Sequence, residues 1–352
     1  MPVLNEIKYI SNSICSVLNQ SFDLTDIEII ISDGGSSDGT IEKIKHFQAS
    51  YSNIHLLNNP YKIVSAGFNL ALSIASSDYI LRVDGHSELP PNYISDVLVL
   101  MKDRNSDIAG GCIKTISSNL IGKAISISQS SKFGVGGVSF RNSSLTKVKE
   151  VDTLAFGIHR RELFSNLGGY DEDLVCNQDD EFNFRLIKNG GKIWLDPSIK
   201  SSYYPRSSLL KLFKQYFQYG FYKIRVMQKR KGFASWRHLF PGIFVLALFL
   251  SFILIPTIEI YLPIYLIAGS YAIANILATL WEALKQIINQ ELRKNYLSLF
   301  SFFLMPLVYF TLHFSYGLGF ICGLFYFWDK WNDIGLKDIC PKTCEWADKY
   351  SL

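Results

Sequence analysis

The chain has 352 residues and a formal net charge of +4, so it can bury one large core or two smaller ones, and its positive excess is too small for a nucleic-acid binder. Its six cysteines are scattered, which excludes a disulfide scaffold, and Cys340 and Cys344 have no matching Cys or His pair to complete a metal site. The N-terminus, MPVLNEIKYI, lacks the basic start and apolar stretch of a signal peptide, so the first part of the chain is expected to stay in the cytoplasm.

The first two hundred residues alternate short β-rich runs with helical patterns. IEIIIS (27–32) reads as a buried strand, and the turn DGGSSDGT leads from it into a helix starting at Thr40. IHLL (54–57) is a second strand, a helix covers 64–76, and YILRV (79–83) and DIAGGCI (107–113) are further strands. A helix opens at Gln178, runs to about Lys188 and stops at Asn189-Gly190-Gly191. Continuous apolar strands separated by helices predict an α/β fold, a mostly parallel sheet with helices on both faces.

Beyond residue 205 the character of the chain changes. From Arg206 to Arg237 every charge is basic, among them Lys211, Lys214, Lys223, Arg225, Lys229, Arg230 and Lys231. Leu, Phe, Tyr and Ile interleave with these charges at helical spacing, the pattern of a basic amphipathic helix lying on a membrane surface. Apolar stretches at 239–258, 260–281 and 296–328 follow, each reaching the about 20 residues that cross a bilayer. Glu259 and Pro263 mark a turn between the first two, and Lys285, Arg293 and Lys294 put the next loop on the cytoplasmic side. The expected organisation is a catalytic domain at 1–205, an interfacial helix at 206–238, a transmembrane helical region at 239–328 and a tail at 329–352. The location that follows is the cell membrane, multi-pass, with the catalytic domain cytoplasmic.

In an open α/β sheet, ligands bind beyond the C-terminal ends of the strands. Asp33 ends one strand there and Asp84 another, and the glycines after Asp33 let the backbone turn closely around a ligand. In Asp84-Gly85-His86 a carboxylate and an imidazole stand two residues apart, a donor set that suits Mn²⁺ well and Mg²⁺ less well. Gln178-Asp179-Asp180-Glu181 opens a helix, where acids commonly serve as capping and dipole partners. One of them facing the crevice is instead able to act as a general base on a sugar hydroxyl.

Taken in order, Pro2-Val3-Leu4-Asn5-Glu6, Asp33-Gly34-Gly35-Ser36-Ser37-Asp38-Gly39-Thr40, Asp84-Gly85-His86, and Gln178-Asp179 with Arg185 six residues on resemble the motif series of the family 2 nucleotide-sugar glycosyltransferases of the GT-A type, through about residue 205. Arg82-Val83-Asp84-Gly85-His86, Phe133-Gly134-Val135-Gly136-Gly137 and Gln215-Tyr216-Phe217-Gln218-Tyr219-Gly220 resemble the succinoglycan-type exopolysaccharide glucosyltransferases in particular. The resemblance implies a GT-A, Rossmann-like fold and an inverting transfer from a UDP-sugar, with glucose as the sugar. It implies that Glu6 and Asp33 contact the nucleoside, with Gln178 and Arg185 also on the substrate side. Asp84 would reach the ribose and a divalent metal (Mn²⁺ or Mg²⁺), His86 would be a second metal ligand, and Asp179 the catalytic base. The implied acceptor is a lipid-linked saccharide.

Two departures carry expectations of their own. Relatives have an apolar strand before Pro-x-x-Asn-Glu, so a first strand that is missing or cut short is expected here. The Gln-x-x-Arg-Trp motif of processive synthases is absent, which favours one sugar per acceptor. Two further readings compete: a polyprenyl-phosphate sugar synthase, which needs no base of the Asp179 kind, and a catalytically silent membrane protein that binds nucleotide sugar.

Overall fold

The computed structural model describes residues 1–117, 119–142, 145–205, 208–232, 236–258, 261–288 and 296–337. Arg206, the Glu259 turn, Arg293, Lys294, Cys340 and Cys344 lie outside these residues. The chain divides into two compact units. One, the sheet unit, comprises Met1–Lys114 and Ser143–Tyr204 with the described residues from Gly335 on; the other, the helical unit, comprises Thr115–Asn142 and Pro205–Ile334.

In chain order the elements are β1 (Pro2–Val3), α1 (Ile10–Leu18), β2 (Ile29–Asp33), α2 (Thr40–Ser50), β3 (Ile54–Asn58), α3 (Val64–Ile74), β4 (Tyr79–Leu81), β5 (Ser87–Glu88), α4 (Tyr93–Arg104) and β6 (Ile108–Thr115). After them come α5 (Leu120–Ser130), α6 (Lys132–Val135), β7 (Lys149–Glu150), β8 (Ile158–Arg160), α7 (Glu162–Leu167), α8 (Gln178–Lys188) and β9 (Ile193–Tyr203). The chain closes with α9 (Leu209–Arg230), α10 (Phe240–Ile258), α11 (Leu262–Ile288) and α12 (Tyr296–Tyr326).

In the sheet unit, β1, β2 and β3 form a parallel sheet in the order β1-β2-β3. Every residue of β2 is buried, as a strand covered on both faces must be, and α3 packs Ala66, Leu70 and Ala71 over Ile30 and Leu57. The remaining strands form a second sheet, β4-β8-β6-β9-β5 with β7 beside β9. In it β8 runs antiparallel to β4 and β6, and β9 runs antiparallel to β5 and β7. The expected parallel sheet is thus β1–β3, and a mixed one continues the fold.

β1 meets β2 at only two register positions, Pro2 opposite Ser32 and Val3 opposite Asp33. The Met1 ammonium donates to the Ile30 carbonyl at 2.7 Å, and burial pulls its pKa down to about 5. Beside it lies a cavity of about 320 Å³ between β2 and β4, lined among others by Ile29, Ile30, Phe68, Ala71, Ile80 and Val83.

In the helical unit α9 and α12 lie side by side along much of α9. Leu212 and Tyr216 pack with Met305, Val308, Tyr309 and Leu312, and Ile224 and Met227 pack with Phe320 and Phe327. Glycines permit this approach: a Cβ on Gly220 would meet the Tyr316 carbonyl oxygen at 2.0 Å, and one on Gly319 the Phe217 carbonyl oxygen at 2.0 Å. The apolar face of α9 that the sequence assigned to a membrane surface is therefore covered by protein, because α12 offers it a groove of small residues. Lys223, Arg225 and Arg230 are buried as well, with Arg225 paired to Asp333 at 2.9 Å, while Lys211 and Lys214 stay exposed.

The segment around α5 and α6, which sequence placed inside the first domain, belongs to the helical unit. Tyr309 donates its hydroxyl to Ser131 Oγ at 2.9 Å, and His313 Nε2 donates to the Phe133 carbonyl at 2.8 Å. That leaves His313 Nδ1 to accept from the Tyr271 hydroxyl at 2.9 Å. Two helices are long and apolar enough to cross a membrane, Leu262–Ile288 and Leu299–Tyr326. The first expected span, α10, is shorter over its described apolar part, Phe240–Ile255. On α11 the large apolar side chains Tyr265, Leu266, Ile273, Leu277 and Trp281 are all exposed, and only the polar Asn275 and Thr279 are buried.

Candidate active site

The first two motifs are stitched together by hydrogen bonds at the C-terminal edge of β1 and β2. Asp33, fully buried, accepts with Oδ1 from the Gly35 and Ser36 amides and with Oδ2 from the Ser36 hydroxyl. Asp38 does the same for Thr40, whose Oγ1 accepts from the Glu6 amide at 2.9 Å. The Asn5 amide donates to Ser36 Oγ at 2.8 Å, and Asn5 Oδ1 accepts from the Ser37 amide at 2.9 Å. Asn5, Gly35 and Gly39 all take positive φ (55°, 86° and 96°), which lets both loops turn sharply enough to interlock.

The third motif joins the first. His86 Nδ1 is 2.8 Å from Glu6 Oε1, and the Tyr203 ring meets the imidazole edge-on at 4.9 Å. Gly85 makes room, because a Cβ there would meet Glu6 Cγ and Val3 Cγ1 at 3.0 Å. Burial works against a charged His86, yet Tyr203, Glu6 and Asp84 together hold its pKa up at about 10. Burial also works against the Asp84 carboxylate, and here Arg82, His86 and the Met1 ammonium prevail and hold its pKa below the usual range.

Arg82 joins the third motif to the fourth. Its Nε and Nη2 both donate to Asp84 Oδ1, at 3.1 and 2.9 Å, and its Nη1 lies 4.0 Å from Asp179 Oδ2. Arg82 is only 16 % exposed, and it also bonds the hydroxyl of the buried Tyr170, which stacks on Phe68 at 4.2 Å. Sequence reasoning quoted Arg82 only as part of a motif. Its position two residues before Asp84, on the same face of an extended segment, was the available signal. Tyr170 and Tyr203 carried none.

Asp179 lies in the first turn of α8 and accepts from the Asp180 amide at 2.9 Å. Its side chain is 38 % accessible, yet the surrounding protein raises its pKa above the usual carboxylate value. Desolvation is the main cause; Asp180 and Asp84 add to it, and Arg82 opposes it. Gln178 is buried, and its Oε1 has no hydrogen-bond partner among the described residues. Arg185 lies apart from this group: it forks onto both oxygens of Glu181 at 2.7 and 2.9 Å and donates to the Leu167 and Gly169 carbonyls. It braces the turn before Tyr170, a structural part that the six-residue spacing did not reveal.

A divalent cation is the cofactor that Asp84 and His86 suggested. Among the described residues no group of three or more His, Cys, Asp or Glu converges. With Nδ1 on Glu6, His86 offers Nε2 to a metal once the ion displaces the proton that its raised pKa keeps there, and with Oδ1 on Arg82, Asp84 keeps Oδ2. One carboxylate and one imidazole make an incomplete shell, which fits an ion that shares itself with the oxygens of a diphosphate and with water.

The profile "Glycosyl transferase family 2" matches residues 1–167. The succinoglycan biosynthesis protein ExoA of Rhizobium meliloti (strain 1021) is 32 % identical over 243 residues, spanning 68 % of this chain and 73 % of its own. The dolichyl N-acetyl-alpha-D-glucosaminyl phosphate 3-beta-D-2,3-diacetamido-2,3-dideoxy-beta-D-glucuronosyltransferase of Methanococcus voltae is 30 % identical over 252 residues, spanning 68 % and 76 %. Among solved structures, the mannosyltransferase PcManGT from Pyrobaculum calidifontis, in complex with GDP-Man and Mn²⁺, superposes with a TM-score of 0.55 over 94 % of this chain and 86 % of its own. At 14 % identity that is a likeness of fold.

Proposed function

The chain belongs to the family 2 glycosyltransferases, and from that premise we propose that it moves one hexose, glucose from UDP-glucose, onto a hydroxyl of a lipid-linked oligosaccharide. The setting is exopolysaccharide or surface-glycan synthesis, and the donor is a nucleotide sugar. The observation that carries the reading is the continuous run of contacts through all four motifs: Glu6 with Thr40, Glu6 with His86, and Arg82 with both Asp84 and Asp179.

In this reading Glu6 and Asp33 serve the nucleoside, Asp33 through the loop 34–36 that it organises, and Gln178 offers its unpaired Oε1 to a sugar hydroxyl. Asp84 reaches the ribose, and Asp84 with His86 holds a divalent cation, Mn²⁺ or Mg²⁺, whose charge would offset that of the departing diphosphate. Asp179 takes the proton from the acceptor hydroxyl. The oxygen so freed forms its bond to the anomeric carbon from the face opposite the nucleoside diphosphate, whose bond to that carbon breaks, so an α-linked donor yields a β-linked product. Two helices are long and apolar enough to hold the chain in a membrane. We place it in the cell membrane with the sheet unit on the cytoplasmic side.

The test is to incubate membranes carrying the protein with a panel of labelled nucleotide sugars and to extract the lipid fraction. Label entering the lipid fraction from UDP-glucose is the expected result. Label from a different donor overturns the sugar assignment, and none from any donor overturns the transfer. Should both Asp179→Asn and Asp180→Asn leave lipid labelling intact, no base of this kind is needed and the polyprenyl-phosphate synthase reading takes over.

A further inference from the structure

Arg82 puts its charge where a metal ion would be expected to act. Two of its donors converge on one oxygen of Asp84, and its third nitrogen faces Asp179 at 4.0 Å. A guanidinium that close to Asp84 repels a dication approaching the same carboxylate, and burial weakens the screening between them. Asp84 keeps Oδ2 for the ion, yet with Arg82 on Oδ1 the two cations share a single negative charge, and each weakens the other's hold. When an ion binds, the other anion already facing the fork is Asp179, on a separate element. We propose that Arg82 is a positioning residue that competes with the divalent cation for Asp84 and transfers its ion pair to Asp179 when the cation is loaded. The base is then brought into place only in a site that already holds its donor complex. This rests on the assignment of Asp84 as a metal ligand in the preceding section.

The experiment measures Mn²⁺ affinity in the full-length, detergent-solubilised protein, with UDP present, from the electron paramagnetic resonance signal of free Mn²⁺. Arg82→Met removes the competitor and should tighten Mn²⁺ by roughly three- to tenfold, the size of one ordinary net hydrogen bond. Asp179→Asn removes the second partner, leaves Arg82 on Asp84 and should weaken Mn²⁺ severalfold, although Asp179 is not a ligand. Combined with Arg82→Met, Asp179→Asn should have no further effect, since nothing remains to transfer. An Asp179→Asn effect that persists in the double variant is plain through-space attraction and overturns the proposal. Unchanged or weaker binding in folded Arg82→Met overturns it too. If Arg82→Met does not fold, Arg82→Lys, which loses the fork, takes its place in the cycle with the same signs required. Asp84→Asn separates the two levels: if it leaves Mn²⁺ affinity untouched, the ligand assignment itself is wrong.

Discussion

Asp179 and its neighbours Asp180 and Glu181 are three acids in one helical turn, and they differ in what they touch. Glu181 is held by both arms of the Arg185 fork, whereas Asp179 shares Arg82 with Asp84. Asp179→Asn is expected to lower transfer by ~10²–10⁴ while leaving nucleotide-sugar binding nearly unchanged at saturating Mn²⁺, and Asp180→Asn to be mild. Rates and donor affinity measured on the two variants check this, and the reverse ranking would show that the wrong carboxylate has been chosen. A base works only when ionised, so the raised pKa of Asp179 sets the sign of the pH dependence. Activity should fall as pH drops, with its midpoint above the ordinary aspartate value. Since Arg82 is what pulls that pKa down, Arg82→Met should move the acid limb to higher pH, as a pH–rate profile would reveal. For the metal pair, chelation should abolish transfer and added Mn²⁺ restore it, with His86→Ala costing less than Asp84→Ala because the carboxylate carries the charge. Much of this group was legible in the sequence, since carboxylates at strand ends and a short Asp-x-His spacing are local patterns. Arg82 and Tyr170 escaped because their roles come from strands and helices brought together only by the fold, and Arg185 misled because its spacing looks the same whether it braces a turn or binds a ligand.

At the scale of elements, β2, α3 and α8 were readable from periodicity and turn residues, and their ends fall within a residue or two of the expected ones. The second sheet was harder. β8 has three residues and β7 two, too few for a period to show, and their antiparallel pairing is decided by partners far along the chain. α9 shows the opposite failure. Its amphipathic pattern was plain, but a lipid surface and a second helix ask for the same apolar stripe. The glycines decide between them. Gly319→Ala would set a methyl 2.0 Å from the Phe217 carbonyl oxygen and should cost about 1–3 kcal/mol by overpacking, lowering the melting temperature. Gly269→Ala on α11, where nothing lies within 4 Å, should be neutral or slightly stabilising. Equal melting temperatures for the two variants would mean that α9 and α12 do not pack as described.

For the molecule as a whole, the exposed apolar girth of α11 calls for a nonaqueous neighbour, since soluble surfaces rarely leave so many large side chains together in water. An alkaline carbonate wash of membranes should therefore leave the chain in the pellet, whereas release into the supernatant would remove the case for α11 and α12 as spans. The tight seam between α9 and α12 also has a consequence in time. A ribosome making ~5–20 residues per second takes roughly 5–20 s to travel from the end of α9 to the end of α12. For that interval the sheet unit's sequence is already synthesised almost in full, while the stripe of Leu212, Tyr216 and Ile224 waits for its partner. During those seconds lipid, or a chaperone that recognises apolar helices, is what can cover it. A nascent chain stalled between residues 232 and 296 is accordingly the form of this protein that should be most prone to aggregate, and the basic side chains beside the stripe are what would hold it near an anionic membrane until α12 arrives.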